Sequence, residues 1–265
     1  EETLIDKDLS GIAKNYILYR KQHQDVREAK TLFGIRDDLK LPINAVLVLE
    51  KRYLLKDDAG NVIETPRQMF ERVAKKVSEA EEHYGSPHTA EQMQETFFDI
   101  MAGLDFLPNS PTLMNAGTPL NQLSACFVLP VEDSMEDIFE SVKNMALIHR
   151  TGGGTGFSFS NLRPRGDLVS TTKGKASGPV SFMSIFNQTT DVIIQGGRRR
   201  GANMGILRCD HPDIFEFVEA KLKNESFSNF NLSVAATDPF IDAVRKNSRF
   251  DLLNPKTGRK VHSIK

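Results

Sequence analysis

Two glycine-rich segments carry the residue types best suited to binding an anion. Residues 151–156 read Thr-Gly-Gly-Gly-Thr-Gly, and residues 195–201 read Gln-Gly-Gly-Arg-Arg-Arg-Gly. Glycine allows a phosphate to approach backbone N–H groups closely, and arginine presents a planar set of donors that fits a phosphate. Neither segment is a P-loop, because no Gly-Lys-Ser/Thr follows. The same residues could instead form tight turns with solvent-exposed arginines and no ligand, but two such segments in one short stretch favour a nucleotide ligand.

The chain has two cysteines, Cys126 and Cys209, which are too few for a disulfide framework or a cysteine-rich metal site. Cys126 begins an apolar, strand-like run, where a cysteine is either a small buried hydrophobic residue or a reactive thiol. No neighbour of Cys209 favours a role for it. His149, at the end of a predicted helix where a cation suits the helix dipole, and His211, at a helix start, are predicted to be structural.

Composition limits the class of protein. The 265 residues are 39% hydrophobic and 26% charged, which allows a sizeable core in one large domain or two ordinary ones. The net charge of −1 argues against binding of a nucleic-acid polymer, so any phosphate site must be local. No apolar run is long enough to cross a membrane and no signal segment is recognisable, so a cytoplasmic location is expected. The chain starts within a helical pattern and stops without a closing signal, which predicts a fragment.

The elements that must position these residues change in character near residue 105. The first hundred residues are predicted to be helical, with a polar hairpin at 53–63 and helix starts at Thr65-Pro66 and at Thr89, where Gln92 completes a capping box. The later residues alternate between strands and helices, which predicts an α/β fold with a mainly parallel sheet. The predicted strands are 126–129, 156–160, 203–207 and 231–235, and the predicted helices are 134–149, 179–195, 211–223 and 238–246.

Long ordered motifs between residues 107 and 221 resemble the ribonucleotide reductase family. They read LPNSPTLMNAG at 107–117, LSACFVLPVEDSM at 123–135, GGGTGFS at 152–158 and QGGRRRGANMG at 195–205. The sequences of these motifs are similar to those of the adenosylcobalamin-dependent (class II) large catalytic chain. This resemblance implies the first half of a ten-stranded α/β barrel at 106–265, after a helical domain at 31–105. Residues 1–30 resemble the tail of a regulatory ATP-cone segment.

The resemblance implies a substrate site for a ribonucleoside diphosphate or triphosphate. Ser110 and the Gly153-Gly154 turn would hold the substrate phosphates, the turn through its backbone donors, while Ala125 and Cys126 would line the ribose. Cys126 matches the first cysteine of the redox pair that reduces the ribose, after a thiyl radical on another cysteine has removed the 3′ hydrogen. Arg199 would report on the substrate base.

The resemblance also implies a second nucleotide site, for a deoxynucleoside triphosphate or ATP effector that sets base preference. Three consecutive residues, Asp133, Ser134 and Met135, match positions that hold the effector ribose and base. Arg163 would reach the effector phosphates, and Lys173, with Lys175, lies in a segment similar to the mobile effector loop. Helix-start and surface positions would explain the same residues without any ligand.

The radical and resolving cysteines of the family have no counterpart in this sequence, so half a catalytic domain, inactive alone, is expected. A thioredoxin-like or other dithiol reductant and a homodimer are the expected partners, with no membrane and no metal site. Two alternatives stay open: a non-catalytic nucleotide-binding regulatory module, and a class I large subunit whose radical comes from a separate di-iron subunit.

Overall fold

The computed structural model describes residues 39, 41–169, 173–193, 201–222 and 227–265, and these residues divide into two compact units between Leu123 and Ser124. The predicted ATP-cone resemblance at 1–30 lies outside the described residues. The sequence-based boundary near residue 105 is earlier than the observed division. The reason is that the short helix after Asn109 packs with the preceding helices.

The described part of the first unit is helical. Its helices are α1 (Ile43–Arg52), α2 (Pro66–Ser78), α3 (Glu81–Tyr84), α4 (Ala90–Ala102) and α5 (Ser110–Asn115). The predicted capping box at Thr89 is present, and the predicted helix start at Thr65 has one as well: each threonine accepts from a backbone N–H three residues on, while Gln92 and Gln68 reach back. The sequence predicts that the helix starting at Thr65-Pro66 ends at Gly85, but the helix is interrupted after Ser78, and Gly85 ends only the short α3 in a left-handed conformation.

Apolar residues of α2 form the core of this unit. Met69, Phe70, Val73 and Ala74 are buried and pack with Met101 of α4 and Leu113 of α5. Arg72 ties α5 to α2, since it pairs with Glu64 at 2.8 Å and donates to the Leu113 and Ala116 carbonyls. The predicted hairpin at 53–63 reduces to one antiparallel bridge, Lys56 with Val62, around an Asp57–Asn61 turn.

A four-stranded parallel sheet forms the centre of the second unit. Its strands run in chain order as β1 (Cys126–Leu129), β2 (Gly154–Ser158), β3 (Asn203–Arg208) and β4 (Phe230–Ala235). The connections include α6 (Met135–Arg150) between β1 and β2, α7 (Pro179–Val192) between β2 and β3, and α8 (Ile214–Glu219) between β3 and β4. After α9 (Asp238–Arg245), β5 (Phe250–Leu253) and β6 (Lys260–Ile264) form an antiparallel hairpin.

The sheet packs on α6 and α7 through a dry core rich in phenylalanine. Phe157 and Phe159 contact Phe186 of α7 with ring centroids 4.7 and 5.4 Å apart in edge-on geometry. The four strands were predicted to within two residues at each end. The helix predicted at 211–223 is observed only at Ile214–Glu219, because the buried side chain of His211 accepts from the Asp213 N–H and replaces a first turn.

The capping box of α4 provides a test of this part of the fold. Replacing Thr89 by Ala removes the acceptor for the Gln92 N–H, so the free energy of unfolding of the helical unit should fall by about 1 kcal/mol. Thr96→Ala in the same helix is the matched control, since the Thr96 hydroxyl only donates back to the Gln92 carbonyl. Urea unfolding followed by far-ultraviolet circular dichroism measures both. Equal stability of the two variants would contradict the assigned cap.

Candidate functional site

Cys126 is the first residue of β1 and is exposed. It pairs in register with Gly154 of β2, and the Gly154 N–H donates to the Ala125 carbonyl at 2.7 Å. This bond fixes the backbone directly before the thiol. Ala125, Cys126 and Gly154 are therefore brought together, as the sequence predicts, at the edge of the sheet where its strands begin.

The glycine turn before β2 does not offer free N–H groups. Gly152 and Gly153 donate to carbonyls in the last turn of α6 at 3.0 and 3.2 Å, and Gly154 donates to Ala125. The predicted phosphate contact of the Gly153-Gly154 turn stays a prediction: in this structure the three N–H groups end the helix and start the sheet. Glycine at 154 also leaves room for the neighbouring backbone, because a Cβ there would lie 3.3 Å from the Ala202 carbonyl oxygen, closer than an ordinary contact.

Cys209 cannot be the redox partner of Cys126. Cys126 lies level with the start of β3, since Gly154 pairs with Cys126 and Thr155 pairs with Asn203. Cys209 follows the far end of β3, and six strand residues span about 20 Å. A disulfide requires Cα atoms within about 7 Å. Cys209 is also buried, with its Sγ 3.6 Å from the Thr237 hydroxyl, which agrees with the absence of a predicted role.

A second cluster lies around Asp133, directly before α6. The Arg163 guanidinium binds the Asp133 carboxylate side-on, with Nε and Nη2 each 2.8 Å from Oδ2, and the Arg163 backbone N–H donates to Oδ1 at 3.2 Å. Lys256 adds a second cation, with its Nζ 3.2 Å from Oδ2. One carboxylate therefore faces two cations. The structure joins Asp133 and Arg163 directly, whereas the sequence assigned them to different parts of the effector.

Lys256 was missed by sequence reasoning. It lies in the turn between β5 and β6, where Asn254 Oδ1 accepts from the Lys256 and Thr257 N–H groups at 3.0 and 3.3 Å. The Asn254 amide donates to Asp167 at 2.9 Å, so the same turn contacts the segment that follows Arg163. The letters Asn-Pro-Lys-Thr-Gly at 254–258 do indicate a turn. Nothing in them indicates a partner more than a hundred residues away.

Two of the other predicted effector residues, Ser134 and Met135, directly follow Asp133, and Lys173 lies in the later segment. Ser134 is the N-cap of α6: its hydroxyl accepts from the Asp137 N–H at 3.0 Å and donates to the Asp137 carboxylate. Met135 begins the helix and is exposed. Lys173 is exposed and adopts a left-handed conformation, and its N–H donates to the Val169 carbonyl at 2.8 Å.

Two predicted substrate residues lie outside the described part of the second unit. Ser110, the first residue of α5, belongs to the first unit, and its hydroxyl lies 3.0 Å from the Tyr53 hydroxyl. Its predicted phosphate contact stays a prediction. Arg199 lies outside the described residues, so its predicted contact with the substrate base also stays a prediction.

Both predicted structural histidines are buried in the second unit. Burial lowers the pKa of His149, and the Ala202 backbone and Asn203 side chain offset this only in part. Burial likewise lowers the pKa of His211, against smaller opposing effects of the Leu162 carbonyl and neighbouring carboxylates. The expectation that His149 acts as a cation at a helix end is therefore wrong, because an imidazolium would be desolvated there.

The described part of the chain contains no group of three histidine, cysteine or acidic side chains that could hold a metal ion. No helix within it is long and apolar enough to span a bilayer.

Comparison with family models identifies both units. Residues 39–121 match the model described as ribonucleotide reductase, all-alpha domain, and residues 124–265 match the model described as ribonucleotide reductase, barrel domain. The two matched ranges meet at the division seen in the structure. The helical region and the parallel α/β part of a barrel that the sequence predicts are thereby confirmed.

Three relatives illustrate the range of similarity. The chain is 51% identical to a vitamin B12-dependent ribonucleoside-diphosphate reductase of Thermoplasma acidophilum, with 98% of the chain and 41% of that protein aligned. It is 47% identical to a protein of the same name from Mycobacterium tuberculosis, over 98% of the chain and 37% of that protein. A ribonucleoside-diphosphate reductase large chain of Neurospora crassa is 35% identical, with 92% of the chain and 26% of that protein aligned. The chain thus spans about two fifths of the length of its more similar relatives.

The two buried histidines predict a pH-dependent stability. Their pKa values are lowered in the folded state, so the unfolded chain binds more protons once the pH falls below about 6.5. Their contribution to the free energy of unfolding is therefore complete above that pH and declines below it, by up to about 1.4 kcal/mol per pH unit for each histidine.

Urea unfolding between pH 7.5 and 5 measures this slope above the range where most carboxylates titrate. His211→Gln should make the slope shallower, whereas His83→Gln, at an exposed position, should leave it unchanged. A slope that does not respond to His211→Gln would contradict the assignment.

Proposed function

Because the chain belongs to the ribonucleotide reductase large-chain family, we propose that the protein containing it reduces ribonucleotides to 2′-deoxyribonucleotides. The observation that supports this most directly is the exposed thiol of Cys126 at the first position of β1. A ribonucleoside diphosphate is the proposed substrate, since the two most similar relatives described above are named for it.

Cys126 is proposed to supply electrons to the ribose. In the overall reaction two thiols join as a disulfide: one of their protons leaves with the 2′-hydroxyl as water, and the other, with the electron pair that the thiols release, forms the new C–H bond at the 2′ carbon. The second thiol must come from a residue other than Cys209, because the length of β3 separates Cys209 from Cys126 by more than a disulfide can span. A dithiol reductant of the thioredoxin type would then restore the two thiols by exchange.

Adenosylcobalamin is proposed as the cofactor, because relatives at 51% and 47% identity are named vitamin B12-dependent, whereas the 35% identical fungal relative is named only a large chain. When bound, it would supply the radical that starts the reaction. Among the described residues there is no group of three or more metal-ligating side chains, and His149 and His211 are enclosed in the core, whereas His83, His88 and His262 are exposed.

The cluster around Asp133 is proposed as the effector site. A guanidinium has five N–H donors, and the side-on pair with Asp133 uses Nε and Nη2 of Arg163. Arg163 can therefore hold the carboxylate and still present Nη1 to a phosphate. The exposed start of α6, with Ser134 as its N-cap, would face the ribose and base together with Met135, and Lys173 would add a further cation.

Lys256 extends this proposal. The Asp133 carboxylate already accepts from the Arg163 backbone, Arg163 Nε and Nη2, and Lys256. A ribose hydroxyl that donates to Asp133 must displace one of these donors. Lys256 is the most exposed of them, with 53% of its side chain accessible, so it costs least to displace. A displaced ammonium group beside Arg163 would then meet the effector phosphates.

Three further parts of the proposal rest on the family resemblance. Arg199 is proposed to carry the effector signal to the substrate base, and Ser110 to contact the substrate phosphates. A homodimer is proposed as the assembly. The cytoplasmic location stays a prediction.

Replacing Cys126 by Ser in the full-length protein should abolish multiple turnover while nucleotide binding stays normal, because a hydroxyl cannot form the disulfide that supplies electrons. Deoxynucleotide formation in the presence of a dithiol reductant measures this. Cys209→Ser is the matched control and should retain turnover. Normal steady-state turnover of Cys126→Ser would disprove the assigned role.

Replacing Lys256 by Met should weaken binding of a deoxynucleoside triphosphate by about three- to tenfold, the effect expected of one partly exposed charged contact. Lys260→Met is the matched control, because Lys260 lies in the same hairpin and pairs with Asp251 instead. Calorimetric titration with the triphosphate and with the parent nucleoside distinguishes a phosphate contact by Lys256 from support of the turn by Lys256. If Lys256→Met weakens both ligands equally, the lysine supports the turn and does not contact phosphate.

A further inference from the structure

A chain of buried hydrogen bonds links α6, β2, β3 and α7, and its direction can be derived from one end. The Phe186 carbonyl can only accept, so Thr190 donates its hydroxyl proton there, at 2.8 Å. The Thr190 oxygen must then accept from the amide nitrogen of Asn203, at 2.8 Å. The Asn203 carbonyl oxygen in turn accepts the hydroxyl proton of Thr155, at 2.7 Å.

This direction fixes the state of His149. Because the Thr155 proton is donated to Asn203, the Thr155 oxygen must accept from His149 Nε2, which lies 3.0 Å away. The His149 ring is therefore neutral, with its proton on Nε2 and none on Nδ1. A neutral ring agrees with complete burial of the side chain and with the lowered pKa.

His149 Nδ1 has no hydrogen-bond partner among the residues that the structure describes. It faces the backbone at Gly201, where an added Cβ would lie 2.7 Å from Nδ1 and 2.9 Å from Thr190 Cγ2. Only glycine fits this position without a shift of the ring. The ring therefore packs directly against the backbone that enters β3.

The same histidine ends a helix whose other end lies beside Asp133. α6 has 16 residues and is about 24 Å long, and its buried positions Ile138, Ser141, Met145 and His149 form one face. Met145 of this face lies next to Thr190, with 3.7 Å between sulfur and hydroxyl oxygen. A helix packed along its length moves as a unit, so a displacement at its N-terminus reaches His149.

We propose that His149 is a positioning residue that couples the Asp133 cluster to the start of β3 through Thr155 and Asn203. The inference rests on the proposed function for the nature of the two nucleotides and for the activity that is measured. The hydrogen-bond chain holds the start of β3 against β2, and Gly154 of β2, next to Thr155, pairs with Cys126. An effector bound beside α6 changes base preference by shifting this chain.

If the hydrogen-bond chain only stabilised the core, cutting it would have a different effect. A buried polar chain that only stabilises the protein would, when cut, lower thermal stability and turnover for every substrate alike. A coupling role requires that the change in preference produced by the effector is lost while the effector still binds.

The test uses Thr155→Val, which keeps the shape of the side chain and removes the hydroxyl, with Thr155→Ser as the variant that restores it. Thr189→Val is the matched control, one position before Thr190 in α7 and outside the chain. Relative rates for two competing ribonucleotides are measured with and without a deoxynucleoside triphosphate in the full-length protein, together with effector affinity. Thr190→Val cuts the chain at a second place and replaces Thr155→Val if that variant does not fold.

Couplings of this kind typically change affinity or preference by ~5- to 150-fold. We expect Thr155→Val to reduce the effector-induced change in base preference by about fivefold or more, with effector affinity within about twofold of wild type, and Thr155→Ser and Thr189→Val to retain the change. Retention of the full change in Thr155→Val or Thr190→Val would overturn the inference and leave the proposed function intact. A wild-type protein whose preference ignores the effector would overturn both.

Discussion

The parallel register of β1, β2 and β3 is the constraint on which the candidate site depends. Parallel strands require crossover connections, so their first residues meet at one edge although they are far apart in the sequence. Cys126, Gly154 and Asn203 reach the same edge in this way. The register is also what separates the two cysteines, because β3 carries Cys209 away from this edge along its whole length. A slip of β1 by one residue would turn its side chains, including the thiol, to the opposite face of the sheet.

The glycines of the turn before β2 show why a motif has to be checked against its hydrogen bonds. Three N–H groups in a row suggest an anion site, but each backbone donor can serve only one strong partner. Here α6 must end and β2 must begin within a few residues, and the N–H groups of Gly152, Gly153 and Gly154 satisfy carbonyls on both sides. The glycine residues at 152–154 allow the backbone segments to pack closely. They carry no free donors for a ligand in this arrangement.

Local signals in the sequence predicted most of the elements, and the reason is physical. The capping boxes at Thr65 and Thr89, and the strand that begins at Cys126, each depend on residues within a few positions of one another. Contacts that depend on tertiary distance could not be predicted in this way. The pairing of Lys256 with Asp133 joins a hairpin turn to a helix start, and the neutrality of His149 depends on its burial, which the helix position alone did not reveal.

The two ends of α6 differ in a way that suits a helix that transmits a signal. Its N-terminal end carries a carboxylate shared by Arg163 and Lys256, where the charged partners are partly exposed and exchangeable with a ligand. Its C-terminal end carries a neutral, enclosed His149 whose partners are fixed by a directed chain of hydrogen bonds. Rearrangement is cheap at the exposed end, because water and ligands can replace a charged contact there. At the buried end, any movement leaves a donor without an acceptor, which costs about 1–3 kcal/mol for each group. The proposed coupling would therefore pass a change at Asp133 to His149 as movement of the whole group of residues, since breaking the chain of hydrogen bonds costs more free energy.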